Sequence, residues 1–207
     1  MKTQGKLYVA LLVIAVSSAA NTLSAQGAID GWRVTGEVGG VIGGTWLRGT
    51  GAPTVTTDPG ATIGVGASRQ LVSGVSAGAT LRIGAQPVVM KETGATWAGG
   101  TLTETELMAQ LTIMSAQGTT LRPALELGAG AALLTGARNV LPFHDASSIA
   151  PIAEGGFSVR RDANSSTSRE LALFVHYGLV RLDASAAGAV TTSGWVQRLT
   201  IGLRVTR

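Results

Sequence analysis

Trp32 to Trp46 reads WRVTGEVGGVIGGTW, with five glycines set between two tryptophans. Three readings compete for it. Gly36, Gly39 and Gly40 have the look of a phosphate-cradling loop, and Gly36, Gly40 and Gly44 have the spacing of a helix-packing GxxxG stripe. Read with a period of two, positions 32, 34, 36, 38, 40, 42, 44 and 46 are Trp, Val, Gly, Val, Gly, Ile, Gly and Trp. The interleaved set is Arg33, Thr35, Glu37, Gly39, Val41, Gly43 and Thr45. One face is apolar with tryptophan at both ends, and the other carries the charges. That is a β-strand with two different environments. A phosphate loop needs a helix after its glycines, and TWLRGTGAP after Gly44 cannot start one of useful length.

The same alternation recurs seven times. Ala61, Ile63, Val65 and Ala67 interleave with Thr62, Gly64, Gly66 and Ser68; Val75, Ala77, Ala79, Leu81 and Ile83 interleave with Ser76, Gly78, Thr80, Arg82 and Gly84. Leu107, Ala109, Leu111 and Ile113 oppose Glu106, Met108, Gln110 and Thr112, and Leu121, Leu125, Leu127, Ala129 and Leu133 oppose Arg122, Glu126, Gly128 and Gly130. A weaker sixth segment sets Ala153, Phe157 and Val159 against Glu154, Ser158 and Arg160. Leu171, Leu173, Val175, Tyr177 and Leu179 then alternate with Glu170, Ala172, Phe174, His176 and Gly178. The last segment has Trp195, Leu199, Ile201, Leu203 and Val205 against Arg198, Thr200, Gly202 and Arg204. Eight strands are expected.

Their connections alternate in length. RGTGAPTVTTDPG, PVVMKETGATWAGGT, TGARNVLPFHDASSIA and DASAAGAVTTS are long, whereas RQLVS, SAQGTT and RDANSSTS are shorter. Transmembrane barrels have this asymmetry, with short periplasmic turns and long outer loops.

The N-terminus points to export. Lys2 and Lys6 precede the apolar run LYVALLVIAV, and the small, polar stretch SSAANTLSA follows. This is the layout of a helical signal peptide over residues 1–25, cleaved after Ala25 or, alternatively, Ala20. The apolar run is shorter than the roughly 20 residues a spanning helix needs. Beyond it no stretch of 18 or more apolar residues occurs, although mean hydropathy is +0.31. Losing Lys2 and Lys6 leaves 14 basic against 12 acidic residues, a net charge of +2. The high isoelectric point therefore says nothing about nucleic acid, and no basic cluster with interleaved aromatics suggests that partner. The chain has no cysteine, which excludes disulfides and thiolate metal sites. A closed sheet supplies rigidity by another route.

On the apolar parity, Arg69, Arg161, Arg181 and Arg207 fall only at segment ends, where long side chains reach interfacial water. Glu37, Arg82, Glu106, Glu126, Glu154, His176, Arg198 and Arg204 share the other parity. A soluble barrel would turn that charged face outward and fill its inside with small apolar residues. The leader and the loop asymmetry weigh against it.

These features resemble the small eight-stranded outer-membrane barrels of the OmpA-transmembrane-domain, OmpX and OmpW type. The resemblance spans Gly31 to Arg207, and its best local piece is the final GWVQRLTIGLRVT. It implies an all-β, eight-stranded antiparallel up-and-down transmembrane β-barrel over 26–207. It also implies a monomer in a bacterial outer membrane, with outer-membrane lipids around it and assembly by the barrel-assembly machinery. The chain departs from the pattern by ending Val205-Thr206-Arg207 instead of on an aromatic, and aromatics are only 4% of it. The interfacial girdle is expected at Trp32 on one side and Trp46, Tyr177 and Trp195 on the other. At about 3.3 Å per residue and a tilt near 40°, Trp32 and Trp46 would stand roughly 35 Å apart, so Trp46 should lie beyond its interface.

Side chains just fill an eight-stranded barrel, and buried charges need partners. The expected interior is an ionic plug pairing Arg82 with Glu106, Glu154 with His176, and Arg198 with Glu37. The expected role is structural or surface-interacting, with an extracellular ligand met through the long loops, which hold Trp97 and Phe143. A narrow channel for small or hydrophobic solutes is the second reading, and a lipid-modifying enzyme the third. Neither His176 in FVHYG nor the loop residues His144, Asp145, Ser147 and Ser148 make a convincing catalytic set, so no catalytic residue, metal ligand or cofactor is assigned.

Overall fold

The computed structural model describes residues 31–47, 54–92, 94–115, 121–137, 140, 149–164, 169–185 and 191–207. The proposed leader (1–25), His144, Asp145, Ser147, Ser148 and Phe143 lie outside them.

Ten strands follow in order: β1 (Trp32–Ile42), β2 (Thr45–Leu47), β3 (Thr54–Thr57), β4 (Gly60–Val72), β5 (Val75–Glu92), β6 (Ala95–Met114), β7 (Leu121–Gly136), β8 (Ile149–Asn164), β9 (Arg169–Ser185) and β10 (Thr191–Thr206). Eight of them form a closed antiparallel meander. β1 pairs with β4, each later strand with the next, and β10 returns to β1. This is the eight-stranded up-and-down transmembrane barrel that the alternation predicts. Closure leaves the ring no unpaired edge.

The stagger follows from the register. A path straight across the strands leads from Trp32 to Arg69, Ala77 and Leu111, then to Leu127, Gly155, Tyr177 and Leu199. It re-enters β1 at Ile42, ten residues beyond Trp32. With ordinary strand spacing and rise, that stagger tilts the strands about 40° and gives a backbone radius of roughly 8 Å. The outward row is apolar and exposed, including Val65, Leu81, Leu107, Leu127, Phe157, Leu173 and Ile201.

Two elements depart from the expected plan. The connection holding Trp97 is not a loop: β5 and β6 stay paired as far as Glu92↔Ala95, a hairpin standing above the rest of the ring. The connection after β1 contains the short β2–β3 hairpin, and β3 docks on the part of β5 that outruns β4, pairing Thr54 with Lys91 and Thr57 with Val88.

That hairpin corrects the placement of Trp46. Strand β1 ends at Ile42, and Gly43 and Gly44 are not in a strand, so the period of two does not carry through to position 46. Trp46 is 5% exposed, packed with Val55 and Val88, and its Nε1 donates to Thr57 Oγ1 at 3.3 Å. Gly43 lets this happen, because a Cβ there would lie 1.6 Å from Thr57 Oγ1. An indole buried with a partner for its N–H is better placed here than facing lipid.

Candidate functional site: the barrel lumen

The eight charged residues assigned to the interior from the sequence are all buried: Glu37, Arg82, Glu106, Glu126, Glu154, His176, Arg198 and Arg204. Each sits where strand alternation turns it away from lipid, and the barrel is narrow enough for the side chains to meet. Arg82 on β5 donates from Nε to Glu37 Oε1 at 2.7 Å. Its Nη1 donates to Glu106 Oε2 at 3.2 Å and to Glu154 Oε2 at 2.9 Å. Glu154 is on β8, so one guanidinium crosses the lumen.

Glu126 is the second hub. It accepts from Arg204 Nη1 at 2.7 Å, Arg160 Nη2 at 2.7 Å and Ser158 Oγ at 2.6 Å. His176 Nε2 is also 2.7 Å from Glu126 Oε2, and its Nδ1 lies 3.3 Å from Glu154 Oε1 without the alignment of a hydrogen bond. Arg204 ties the hubs together, with Nη2 donating to Glu37 Oε2 at 3.0 Å and its guanidinium 4.9 Å over the Phe174 ring.

The expected pairs are met in part. Arg82 reaches Glu106, and His176 lies against Glu154. Arg198 and Glu37 do not pair. The register sets Glu37 opposite Arg204, and Arg198 lies six residues earlier on β10, where Nη1 binds Glu104 and Glu106. The alternation starts this strand near Glu106 and leaves Glu104 out, whereas β6 starts at Ala95. Three more members, Arg122, Arg160 and Glu170, have inward parity that the alternation displayed. Glu170 takes Arg160 at 3.0 Å, Arg122 at 3.0 Å and Arg33 at 3.7 Å, closing the network at the short-turn end.

Above this polar column the lumen turns apolar, which the charge pattern did not suggest. Val88, Leu102, Ala132, Leu134, Ile152, Val180 and Val196 pack with Trp46 and Val55 of the hairpin. Among the described residues, small spaces remain within the polar column. One of about 30 Å³ is lined by Thr35, Thr80, Gln110, Arg160 and Arg204. One of about 10 Å³ is lined by Val41, Gln86, Glu104 and Arg198. Each has room for a water or two and no more.

The expected girdle is also thinner than the sequence suggests. Trp32 and Trp195 are 43% and 52% exposed near opposite ends of the ring. Tyr177 is 47% exposed but stands at the midpoint of β9, opposite Gly155 and Leu199. It faces the middle of the apolar band and not an interface.

No family model matches the chain, and no curated protein matches it. Solved structures do. Neisserial surface protein A (NspA) is 12% identical with a TM-score of 0.54, over 87% of this chain and 98% of that one. The outer membrane protein OprG from Pseudomonas aeruginosa is 12% identical at TM-score 0.54, over 85% and 95%. Outer membrane protein AlkL, solved in lipid bilayers, is 17% identical at TM-score 0.50, over 88% and 92%. The chain is similar to these in fold.

Proposed function

We propose that this chain is an outer-membrane β-barrel that conducts nothing and does no chemistry, acting as a structural or surface-interacting protein through its outward loops. The observation that carries the reading is Arg82, which is 1% exposed and held by carboxylates from three other strands across the lumen. A solute would have to break these ion pairs and leave buried charges without partners, a change worth several kcal/mol. The apolar layer under the β2–β3 hairpin closes the outer end a second time. His176 supports the absence of catalysis, because it is 1% exposed and both ring nitrogens face carboxylates.

The short-turn end, with both termini of the ring, faces the periplasm in this reading, and the protein is a monomer assembled by the barrel-assembly machinery. Planar-bilayer recording of the refolded protein tests it. Silence apart from rare leak events is expected, and steady unitary conductance would favour the narrow channel instead. A change in the lipid A mass spectrum on expression would favour a lipid-modifying enzyme.

A further inference from the structure

The arginines on the lipid-facing parity are not spread evenly. Arg69, Arg161, Arg169 and Arg207 are all exposed and all lie at the short-turn end of their strands. With about 2.5 Å of height per residue at the strand tilt given above, they fall within about 5 Å of one another along the barrel axis.

They are also contiguous around the wall. Thr206 pairs with Glu170, which puts Arg207 opposite Arg169 on the neighbouring strand. Arg161 pairs with Leu171 and is thus diagonal to Arg169. Arg207 exchanges backbone hydrogen bonds with Val34, and Trp32, two residues earlier, pairs with Arg69. The arc runs Arg161, Arg169, Arg207, Trp32, Arg69 over β8, β9, β10, β1 and β4. Elsewhere on this rim Leu71, Val72, Ile113 and Leu121 are exposed. Among residues whose side chains are described, no acidic side chain is exposed at this end.

Guanidinium groups match phosphate oxygens two at a time. Just above the arc, Val159, Leu171, Leu173 and Val205 offer an exposed apolar wall. We propose that this arc is a binding site for an anionic phospholipid of the periplasmic leaflet, its phosphates on Arg161, Arg169 and Arg207 and its acyl chains along that wall. The proposal rests on the reading of the chain as a membrane-spanning barrel.

Native mass spectrometry of the full barrel, released from detergent with equimolar phosphatidylcholine and cardiolipin, tests it. The wild type should retain cardiolipin about tenfold over phosphatidylcholine, and Arg169→Gln/Arg207→Gln should bring the two near equality. Arg181→Gln, on the same parity at the other end, should keep the preference. Equal retention of both lipids by the wild type, or equal loss in Arg181→Gln, would overturn the site. Displacement of cardiolipin by millimolar inorganic phosphate would overturn the lipid as its ligand. Gel mobility before and after boiling separates the two levels. A shifted band without lipid preference sinks this inference alone, while no shift at all sinks the barrel reading beneath it.

Discussion

Arg82 and Glu37 form a 2.7 Å ion pair although β4 runs between their strands. The register places Arg204, Glu37, Gly64, Arg82 and Glu106 in one row across five strands. Gly64 is the residue that lets the pair form. A Cβ there would stand 2.8 Å from Glu37 Oε1 and 2.9 Å from Glu37 Cγ.

Gly64→Val should therefore part Glu37 from Arg82 and destabilise the refolded barrel by about 2 kcal/mol. Urea unfolding in lipid vesicles measures this. Gly36→Ala is the matched control, since nothing lies within 4 Å of a Cβ at Gly36. A Gly64→Val protein as stable as that control would show that the row does not depend on the missing side chain.

Arg82→Ala removes the one cation that holds Glu37, Glu106 and Glu154 together. Loss of about 3–5 kcal/mol is expected, together with raised leak conductance in planar bilayers. A barrel with unchanged stability and unchanged leak would mean that the column is not what closes the lumen.

Glu126 and Glu104 should differ sharply when neutralised. Glu126→Gln leaves Arg160 and Arg204 short of a carboxylate and should cost about 3 kcal/mol. Glu104→Gln affects Arg198 alone, which keeps Glu106, and should cost under about 1 kcal/mol. Equal unfolding midpoints for the two variants would contradict this division of labour.

Trp46 and Trp195 should respond oppositely to lipid. In single-tryptophan variants, brominated acyl chains should quench Trp195 and spare Trp46, which is enclosed by Val55 and Val88. Quenching of Trp46 to the extent of Trp195 would return it to the lipid face.

The barrel itself was legible because a strand in a wall between water or charge on one side and lipid on the other must alternate. Val75–Ile83 and Leu171–Leu179 show that period without reference to any neighbour. The same parity put Glu37, Arg82 and Glu126 inside. It also displayed Arg160 and Glu170, which belonged in the network on the same grounds.

Partners were not legible, because they depend on stagger and reach. Position along the strand points Arg198 at Glu37, yet the ten-residue stagger sets Arg204 at Glu37 and lifts Arg198 to Glu104. Trp46 followed the outward period until Gly43 and Gly44 broke the strand and folded the next one over the mouth. From WRVTGEVGGVIGGTW the sequence determined that residues 32–42 form a wall strand with Glu37 facing inward. Only the tertiary structure decided which cation Glu37 meets and that the second tryptophan packs inward with Val55 and Val88. Alternation is a property of one strand, whereas pairing and capping arise from the closure of all eight.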